Sequence, residues 1–131
     1  MSLNLTILPE RFAVCRLQSG ADFREPAARS SLFALTRTTD ELSLVCSEAD
    51  APLEALIEPG WRAFKVTGPL DFALTGILAS LANPLADSGV GIFAVSTYDT
   101  DYVLVKETDL PRAAQALQAA GHSIHPTKNS E

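Results

Sequence analysis

The second half of the chain alternates strand-like and helix-like segments, and the order of these segments limits the folds that it can adopt. Residues 61–67 are predicted as a strand, and the Gly68-Pro69 turn predicts the start of a helix. Apolar residues then recur at spacings of three and four, which predicts one buried helical face: Leu70, Leu74, Ile77, Leu78, Leu81 and Leu85. Pro84 falls inside this pattern and is expected to kink or end the helix.

A strand pair and a second helix are predicted to follow. Residues 92–96 and 102–106 have the composition of strands and flank a polar hairpin. A helix is predicted to begin at Thr108 or Asp109 and to end at Gly121, before a last short strand. The resulting order, β-α-β-β-α-β, is that of ferredoxin-like folds.

The first half has a shorter version of the same order. Strands are predicted over residues 12–17, 32–35 and 41–46, and residues 20–31 are predicted as a loop or at most a one-turn helix. A short helix is predicted over residues 51–57, ended by the Glu-Pro-Gly sequence that follows it. This half is therefore expected to be a degenerate copy in which the first helix has shrunk to a loop.

A shift of 60 positions aligns the two halves. It gives four identities between residues 32–47 and 92–107: Phe33 with Phe93, Ala34 with Ala94, Leu44 with Leu104, and Val45 with Val105. Two half-sheets with helices on one face must bury their apolar faces. We therefore expect an α+β protein of two ferredoxin-like (βαββαβ) subdomains, residues 1–60 and 61–131, packed as one unit.

Composition and charge exclude several classes of partner. The formal net charge of −6 argues against binding to nucleic acid or to an anionic membrane, because both need a positive surface. The first residues lack the basic start of a signal peptide, and no segment approaches the roughly 20 apolar residues that span a bilayer. Cys15 and Cys46 lie in apolar segments and are expected to be buried, reduced thiols. The sequence thus predicts a soluble, cytoplasmic protein.

Groups that could carry catalysis are sparse. The two histidines, His122 and His125, fall on the last predicted strand, where their spacing directs them to opposite sides. They are expected to be surface or edge residues that do not jointly hold a metal. The Gly89-Val90-Gly91 segment lacks the rest of a phosphate-binding motif. We therefore expect no enzymatic activity, no cofactor and no metal.

Two polar segments could instead bind a ligand. Residues 67–71 form a strand-to-helix turn, where a glycine allows close approach and a helix start offers N–H groups to a carboxylate. Residues 96–101 form the polar hairpin, and the predicted order places it in a neighbouring part of the sheet. Together the two segments offer donors to a carboxylate and carboxylates to an ammonium group, although ordinary turns have the same composition.

A resemblance to a known family supports the binding hypothesis. Residues 61–124 resemble an ACT domain, with its glycine after the first strand and its β-α-β-β-α-β order. The segments 64–70 and 93–105 are similar to small bacterial tandem-ACT proteins, to the CASTOR-type arginine sensors of animals and to aspartokinase regulatory regions. Residues 9–17 and 38–45 fit the same branch, so the resemblance covers nearly the whole chain.

The resemblance implies a regulatory module that binds an amino acid and has no catalytic step. It implies that Gly68 gives the ligand access to the backbone and that Asp71 faces its basic end or amine. Thr97 and Tyr98 would supply backbone contacts, and Asp101 would pair with a cationic group.

Two other functions stay open at this point. The chain could be a ligand-free scaffold that pairs through a sheet edge or a helix face, or the regulatory subunit of a separate enzyme. A homodimer is expected for the sensor and for the scaffold. If a ligand binds, residues 36–40 of the first half or a second chain could complete its pocket.

Overall fold

The computed structural model describes residues 2–22, 28–68 and 75–126. The elements of these residues are β1 (Asn4–Ile7), β2 (Phe12–Leu17), β3 (Ala34–Arg37), β4 (Leu42–Ser47), β5 (Leu56–Val66), α1 (Ile77–Asp87), β6 (Phe93–Ser96), β7 (Asp101–Lys106), α2 (Leu110–Ala119) and β8 (Ser123–Pro126). Single 3₁₀ turns follow β4 and β7, at Glu48–Asp50 and Glu107–Asp109. The predicted α+β class is confirmed.

The chain divides into two compact units. The larger unit comprises Met1–Pro9 and Arg62–Glu131, and the smaller unit is Glu10–Trp61. The sequence analysis placed the division at 60/61 and assigned the residues of β1 to the first half. Strand β1 belongs to the larger unit because it pairs with both β5 and β8. That each half is a separate ACT subdomain, and that the halves pack as one unit, stay predictions.

The sheet of the larger unit has the order β6-β7-β5-β1-β8. Strand β1 is antiparallel to β5, with Leu5 opposite Val66, and parallel to β8, with Leu5 opposite Ile124. The buried side chains of this unit form one apolar core: Leu5, Phe64, Val66, Leu81, Leu85, Val90, Val103, Val105, Ala113 and Leu117. The two helices contribute to it through Leu81 and Leu85 of α1 and through Ala113 and Leu117 of α2.

Helix α1 begins later than the sequence predicts. It starts at Ile77, directly after Gly76, whose φ of 77° is readily adopted only by glycine. Ile77, Leu81 and Leu85 are buried at spacings of four, whereas Leu78 is 38% exposed. The predicted inward position of Leu78 is therefore wrong. The other predicted members of the face, Leu70 and Leu74, lie outside the described residues, as does Pro69.

Pro84 lies inside α1, which continues to Asp87. Because proline has no N–H, it cannot bond to the carbonyl of Ser80 four residues earlier. His122 Nε2 lies 3.0 Å from that carbonyl oxygen, and the N–H of Leu3 donates to His122 Nδ1 at 3.1 Å. His122 is only 4% exposed, so its predicted surface or edge position is wrong. It is a structural bridge between α1, β8 and the start of β1.

The smaller unit has its own sheet and core. Strands follow the order β3-β4-β2-β5, where β5 contributes its first residues. Strand β2 has the bounds that the sequence predicts and is antiparallel to β4. The core of this unit is formed by Ala13, Cys15, Leu17, Leu42, Leu44 and Cys46. The predicted loop around Pro26 lies largely outside the described residues.

The helix predicted at residues 51–57 is wrong, as is the stop at the Glu-Pro-Gly sequence. Strand β5 begins at Leu56 and continues through this sequence to Val66. Gly60 has a φ of 81°, and the pairing of β5 with β2 shifts register between Phe12 and Val14. A local irregularity of this kind lets a strand accommodate proline and glycine without ending.

The register of the internal repeat differs by one residue from the sequence alignment. Ala34 lies opposite Val45 in the β3–β4 hairpin, and Phe93 lies opposite Leu104 in the β6–β7 hairpin. Each residue of the second pair follows its counterpart by 59 positions, and the two 3₁₀ turns show the same shift. The predicted shift of 60 is therefore wrong. A slip of one residue would place each side chain on the opposite face of its strand.

Candidate functional site

The polar hairpin of the larger unit is closed by one threonine. The N–H of Thr97 donates to the carbonyl of Thr100 at 2.8 Å, and Thr97 Oγ1 donates to the same oxygen at 3.0 Å. The N–H of Thr100 lies 3.2 Å from Thr97 Oγ1. The two residues between them, Tyr98 and Asp99, form an exposed tip. Threonine is suited to this position because its hydroxyl satisfies backbone groups that a tight loop leaves open.

Thr100 fixes this hairpin beside the end of β5. Its side chain is buried, and its Oγ1 donates to the carbonyl of Val66 at 2.7 Å. The N–H of the next residue, Thr67, donates to the backbone carbonyl of Asn4 at 2.8 Å and so connects the residue after β5 with β1. The hairpin therefore lies beside the end of β5, as the predicted strand order requires. Thr100 was not among the predicted site residues, because the sequence cannot show which hairpin hydroxyl faces inward.

The predicted site residues differ in what they can offer a ligand. Gly68 is exposed and follows β5, and Asp71 lies outside the described residues. The N–H of Thr97 is occupied within the hairpin, so a backbone contact from it would use its carbonyl oxygen. Tyr98 is 81% exposed. Asp101 is half-buried at the start of β7, where it lies opposite Ser96.

A cleft of the smaller unit was not foreseen from the sequence. It has a volume of about 670 Å³ and is lined by Arg16, Leu17, Gln18, Gly20, Ala21, Glu54 and Leu56. It lies where β2 ends and β5 begins. No single motif marks it, since its lining comes from two segments that are distant in sequence.

A second cleft of about 460 Å³ is lined by residues 10–11 and 47–50. Both carboxylate oxygens of Glu10 accept hydrogen bonds there, one from Ser31 Oγ and one from Ser47 Oγ at 3.0 Å. The N–H of Ser47 also donates to Ser30 Oγ at 2.8 Å. Glu10 thus connects β4 with the segment before β3, which is a structural role.

Cys15 and Cys46 are buried free thiols, as predicted. Their side chains are hydrogen-bonded to one another across β2 and β4. This hydrogen bond, together with burial, raises the pKa of Cys46. A thiol that is buried and held protonated is a poor nucleophile, so Cys46 is a core residue.

The described residues give no indication of a metal site or a membrane span. No group of three or more histidine, cysteine, aspartate or glutamate side chains within residues 2–22, 28–68 and 75–126 is placed to hold an ion. No helix in the same part of the chain is long and apolar enough to cross a bilayer.

A family model described as an ACT domain matches residues 56–119. Residues 56–119 are an ACT domain. The match begins where β5 begins and ends with α2, so it covers the polar hairpin and the glycine turn. A second family model, that of an N-terminal domain, matches residues 10–54, within the smaller unit. The family predicted from the sequence is confirmed.

Curated ACT relatives include proteins named as arginine sensors. The human protein CASTOR3P is 31% identical over 106 residues, which are 70% of this chain and 64% of the relative. The cytosolic arginine sensor for mTORC1 subunit 1 of Bos taurus is 34% identical over 94 residues, 63% of this chain and 29% of the sensor. The chain thus spans less than two thirds of the length of either relative.

Solved structures share the fold over nearly the whole chain. A crystal structure of an Agrobacterium tumefaciens protein is 38% identical with a TM-score of 0.90, covering 97% of this chain and 95% of that one. The aspartate kinase of Clostridium acetobutylicum is 15% identical with a TM-score of 0.66, covering 89% of this chain and 34% of the kinase. At this identity the second likeness concerns the fold alone.

Proposed function

We propose that the chain is a regulatory ACT module that binds a free amino acid and catalyses no reaction. The observation that carries the proposal is the hydrogen bond from Thr100 to Val66, which holds the hairpin beside the glycine turn. Relatives named as cytosolic arginine sensors support the ligand class and a cytoplasmic location.

The proposed site combines the five residues expected from the sequence. The turn at Gly68 offers backbone N–H groups to the ligand carboxylate. Asp101 and Asp71 pair with its ammonium group or with a cationic side chain, since a desolvated charge needs a partner. Thr97 and Tyr98 contribute backbone groups at the hairpin. A basic amino acid suits this pair of carboxylates best.

The roles of the histidines support a module without catalysis. Both ring nitrogens of His122 are engaged, one by the N–H of Leu3 and one by the carbonyl of Ser80. A histidine in this position cannot act as a general base without breaking one of these contacts. His125 is exposed on β8.

A thermal-shift screen against the twenty amino acids tests the proposal. We expect one amino acid to raise the melting temperature of the natural protein, because a ligand that binds only the folded state stabilises it. The Asp101→Asn variant should lose this shift. The Asp99→Asn variant, which removes an equal charge from the exposed tip of the same hairpin, should retain it. A shift that persists in Asp101→Asn would place the ligand elsewhere.

The alternative is a ligand-free scaffold or an enzyme's regulatory subunit. With a ligand-free scaffold no amino acid would shift the melting temperature of a folded sample. A regulatory subunit would instead need a separate enzyme as its partner. A homodimer fits the sensor and the scaffold, and it stays a prediction that light scattering over a range of protein concentrations can test. A scaffold requires that dimer, whereas a sensor built from one chain does not.

A further inference from the structure

We propose that Cys15 and Cys46 form a redox-sensitive pair in the core of the smaller unit, which hydrogen peroxide converts reversibly into a disulfide. They are the two cysteines of the chain, one on β2 and one on β4. Both belong to Glu10–Trp61, so the pair shares no residue with the ligand site proposed above. This modification goes beyond amino-acid binding and does not depend on it.

Strands β2 and β4 place the two thiols on one face of their sheet. Cys15 lies opposite Leu44, and Cys46 lies opposite Ala13, so the cysteines are diagonal neighbours in an antiparallel strand pair. All four side chains belong to the same apolar core. The side chains of the two cysteines are hydrogen-bonded to one another. The sulfur atoms are therefore close together before any oxidation takes place.

The hydrogen bond between the thiols gives them different roles in this reaction. It lowers the pKa of Cys15, against the opposite effect of burial, and it raises the pKa of Cys46. Because the thiolate is the reactive form of a cysteine, Cys15 is the thiol that attacks the peroxide. Cys46 keeps its proton while the Cys15 thiolate faces it, and it supplies the second sulfur once Cys15 has been oxidised.

The oxidation takes two steps and consumes one molecule of hydrogen peroxide. The Cys15 thiolate attacks a peroxide oxygen and the O–O bond breaks, which forms a sulfenic acid and releases hydroxide that takes up a proton. The Cys46 sulfur then attacks the Cys15 sulfur and the S–O bond breaks, so that the oxygen leaves as water with the Cys46 proton. The two thiols lose two electrons, and the peroxide is reduced to two molecules of water.

Segments outside the helices and strands cover this core. The residues packed against it are only partly buried: Ala21, Phe33, Ala51 and Ala55. The N–H of Ala51 donates to the carbonyl of Glu48 at 3.3 Å, and the N–H of Ala55 donates to that of Pro52 at 3.2 Å. Both hydrogen bonds lie within the covering segment itself, so it can open while β2 and β4 stay paired. Local opening of this kind gives a peroxide access to buried thiols.

The diagonal register makes the disulfide easy to reduce. The Cα atoms of diagonal neighbours lie about 7–8 Å apart, whereas those of a disulfide usually lie about 4.4–6.8 Å apart. Closing the bond therefore draws β2 and β4 together locally, and a strained disulfide is reduced more readily than a relaxed one. We expect reduced glutathione to restore both thiols.

Peptide mass mapping of the folded natural protein, treated with hydrogen peroxide and digested without reduction, tests the proposal. We expect the peptides that contain Cys15 and Cys46 to be linked within one chain, and reduced glutathione to separate them. Cys46→Ala should stop at a sulfenic acid on Cys15, which dimedone traps. Cys15→Ala is the matched variant and should react about tenfold more slowly or less, because the thiol that remains is the one without a lowered pKa.

The rate of oxidation at urea concentrations below the unfolding transition decides the route in the natural protein, even if a variant fails to fold. A rate that changes little with urea supports local opening of the cover. A rate that rises as steeply as the unfolded fraction would show that the thiols react only after global unfolding, and would overturn the proposal. Two thiols that stay unmodified in peroxide, or that link separate chains, would overturn it as well.

Discussion

The two hairpins of the chain close in the same way but are attached differently. In the smaller unit the N–H of Thr38 donates to the backbone carbonyl of Glu41 at 2.9 Å. In the larger unit the N–H of Thr97 donates to the backbone carbonyl of Thr100 at 2.8 Å. The hydroxyls of Thr38 and Thr97 make equivalent contacts. Both copies of the internal repeat have this closure, because it needs only one threonine at the first position of the loop.

The two hairpins are held in their units by different kinds of hydrogen bond. The larger unit uses the buried contact from Thr100 to Val66. The smaller unit uses the exposed guanidinium groups of Arg16 and Arg37, which donate to loop carbonyls. A buried contact is costly to lose because its partner is left without water, whereas an exposed partner is rehydrated. The larger unit should therefore be the more sensitive to single substitutions.

The largest effect is expected from His122→Phe. The substitution removes partners from two part-buried backbone groups, those of Leu3 and Ser80, and should lower the free energy of unfolding by about 3 kcal/mol. Urea denaturation measures the change. His125→Phe, at an exposed position of the adjoining strand β8, is the control and should change stability by less than about 0.5 kcal/mol. Equal effects of the two substitutions would contradict the bridging role of His122.

Thr100→Val should have the next largest effect. The substitution keeps the shape of the side chain but leaves the carbonyl of Val66 without its hydroxyl donor, at a cost of about 2 kcal/mol. Thr100→Ser keeps the hydroxyl and should restore most of that stability. Chemical denaturation of the two variants provides the measurement. If valine is tolerated as well as serine, the hairpin is not held by this hydrogen bond.

Thr38→Ala and Thr97→Ala test the feature that the hairpins share. Each removes one loop-closing hydroxyl from an exposed position, so each should lower the free energy of unfolding by roughly 1 kcal/mol. The prediction is the similarity of the two values, read from the same denaturation experiment. A difference of more than about twofold would mean that the closures are not equivalent.

The smallest effect is expected from Arg37→Met in the smaller unit. Its contacts are exposed, so their loss should cost roughly 0.5 kcal/mol of stability. Arg112→Met, which removes an exposed ion pair with Asp109, provides a comparison from the larger unit. Amide exchange in residues 18–21 should nevertheless rise in Arg37→Met, because the loop carbonyls lose both donors. Unchanged exchange would show that the arginine does not order the loop.

The sequence predicted those parts of the fold that local patterns determine. Strand β2 and the two hairpins follow from alternating apolar residues and polar turns. The length of β5 could not be predicted in this way. Pairing with β2 and β1 keeps the strand extended through the Glu-Pro-Gly sequence, which by itself predicts a stop. The repeat shift was wrong by one residue, because apolar strands give chance identities at neighbouring shifts. The hairpin threonines identify the correct shift.

The position of the hairpin beside the end of β5 was predictable from the sequence, but the contacts that hold it there were not. The strand order placed the hairpin near Gly68, and the contact from Thr100 to Val66 supports that arrangement. That Thr100 faces inward and His122 is buried depends on contacts between residues distant in sequence. His122 also depends on Pro84, whose missing N–H leaves the carbonyl of Ser80 available. The pattern of residue types along the sequence does not show which distant residues contact each other.

The most direct test of the regulatory proposal is an NMR titration of the labelled protein with each of the twenty amino acids. We expect one of them to shift the amide signals of residues 67–68 and 97–101 together, because the ligand is proposed to contact both segments. Asp101→Asn should abolish those shifts. A folded protein whose signals in these two segments respond to none of the twenty would contradict the proposal.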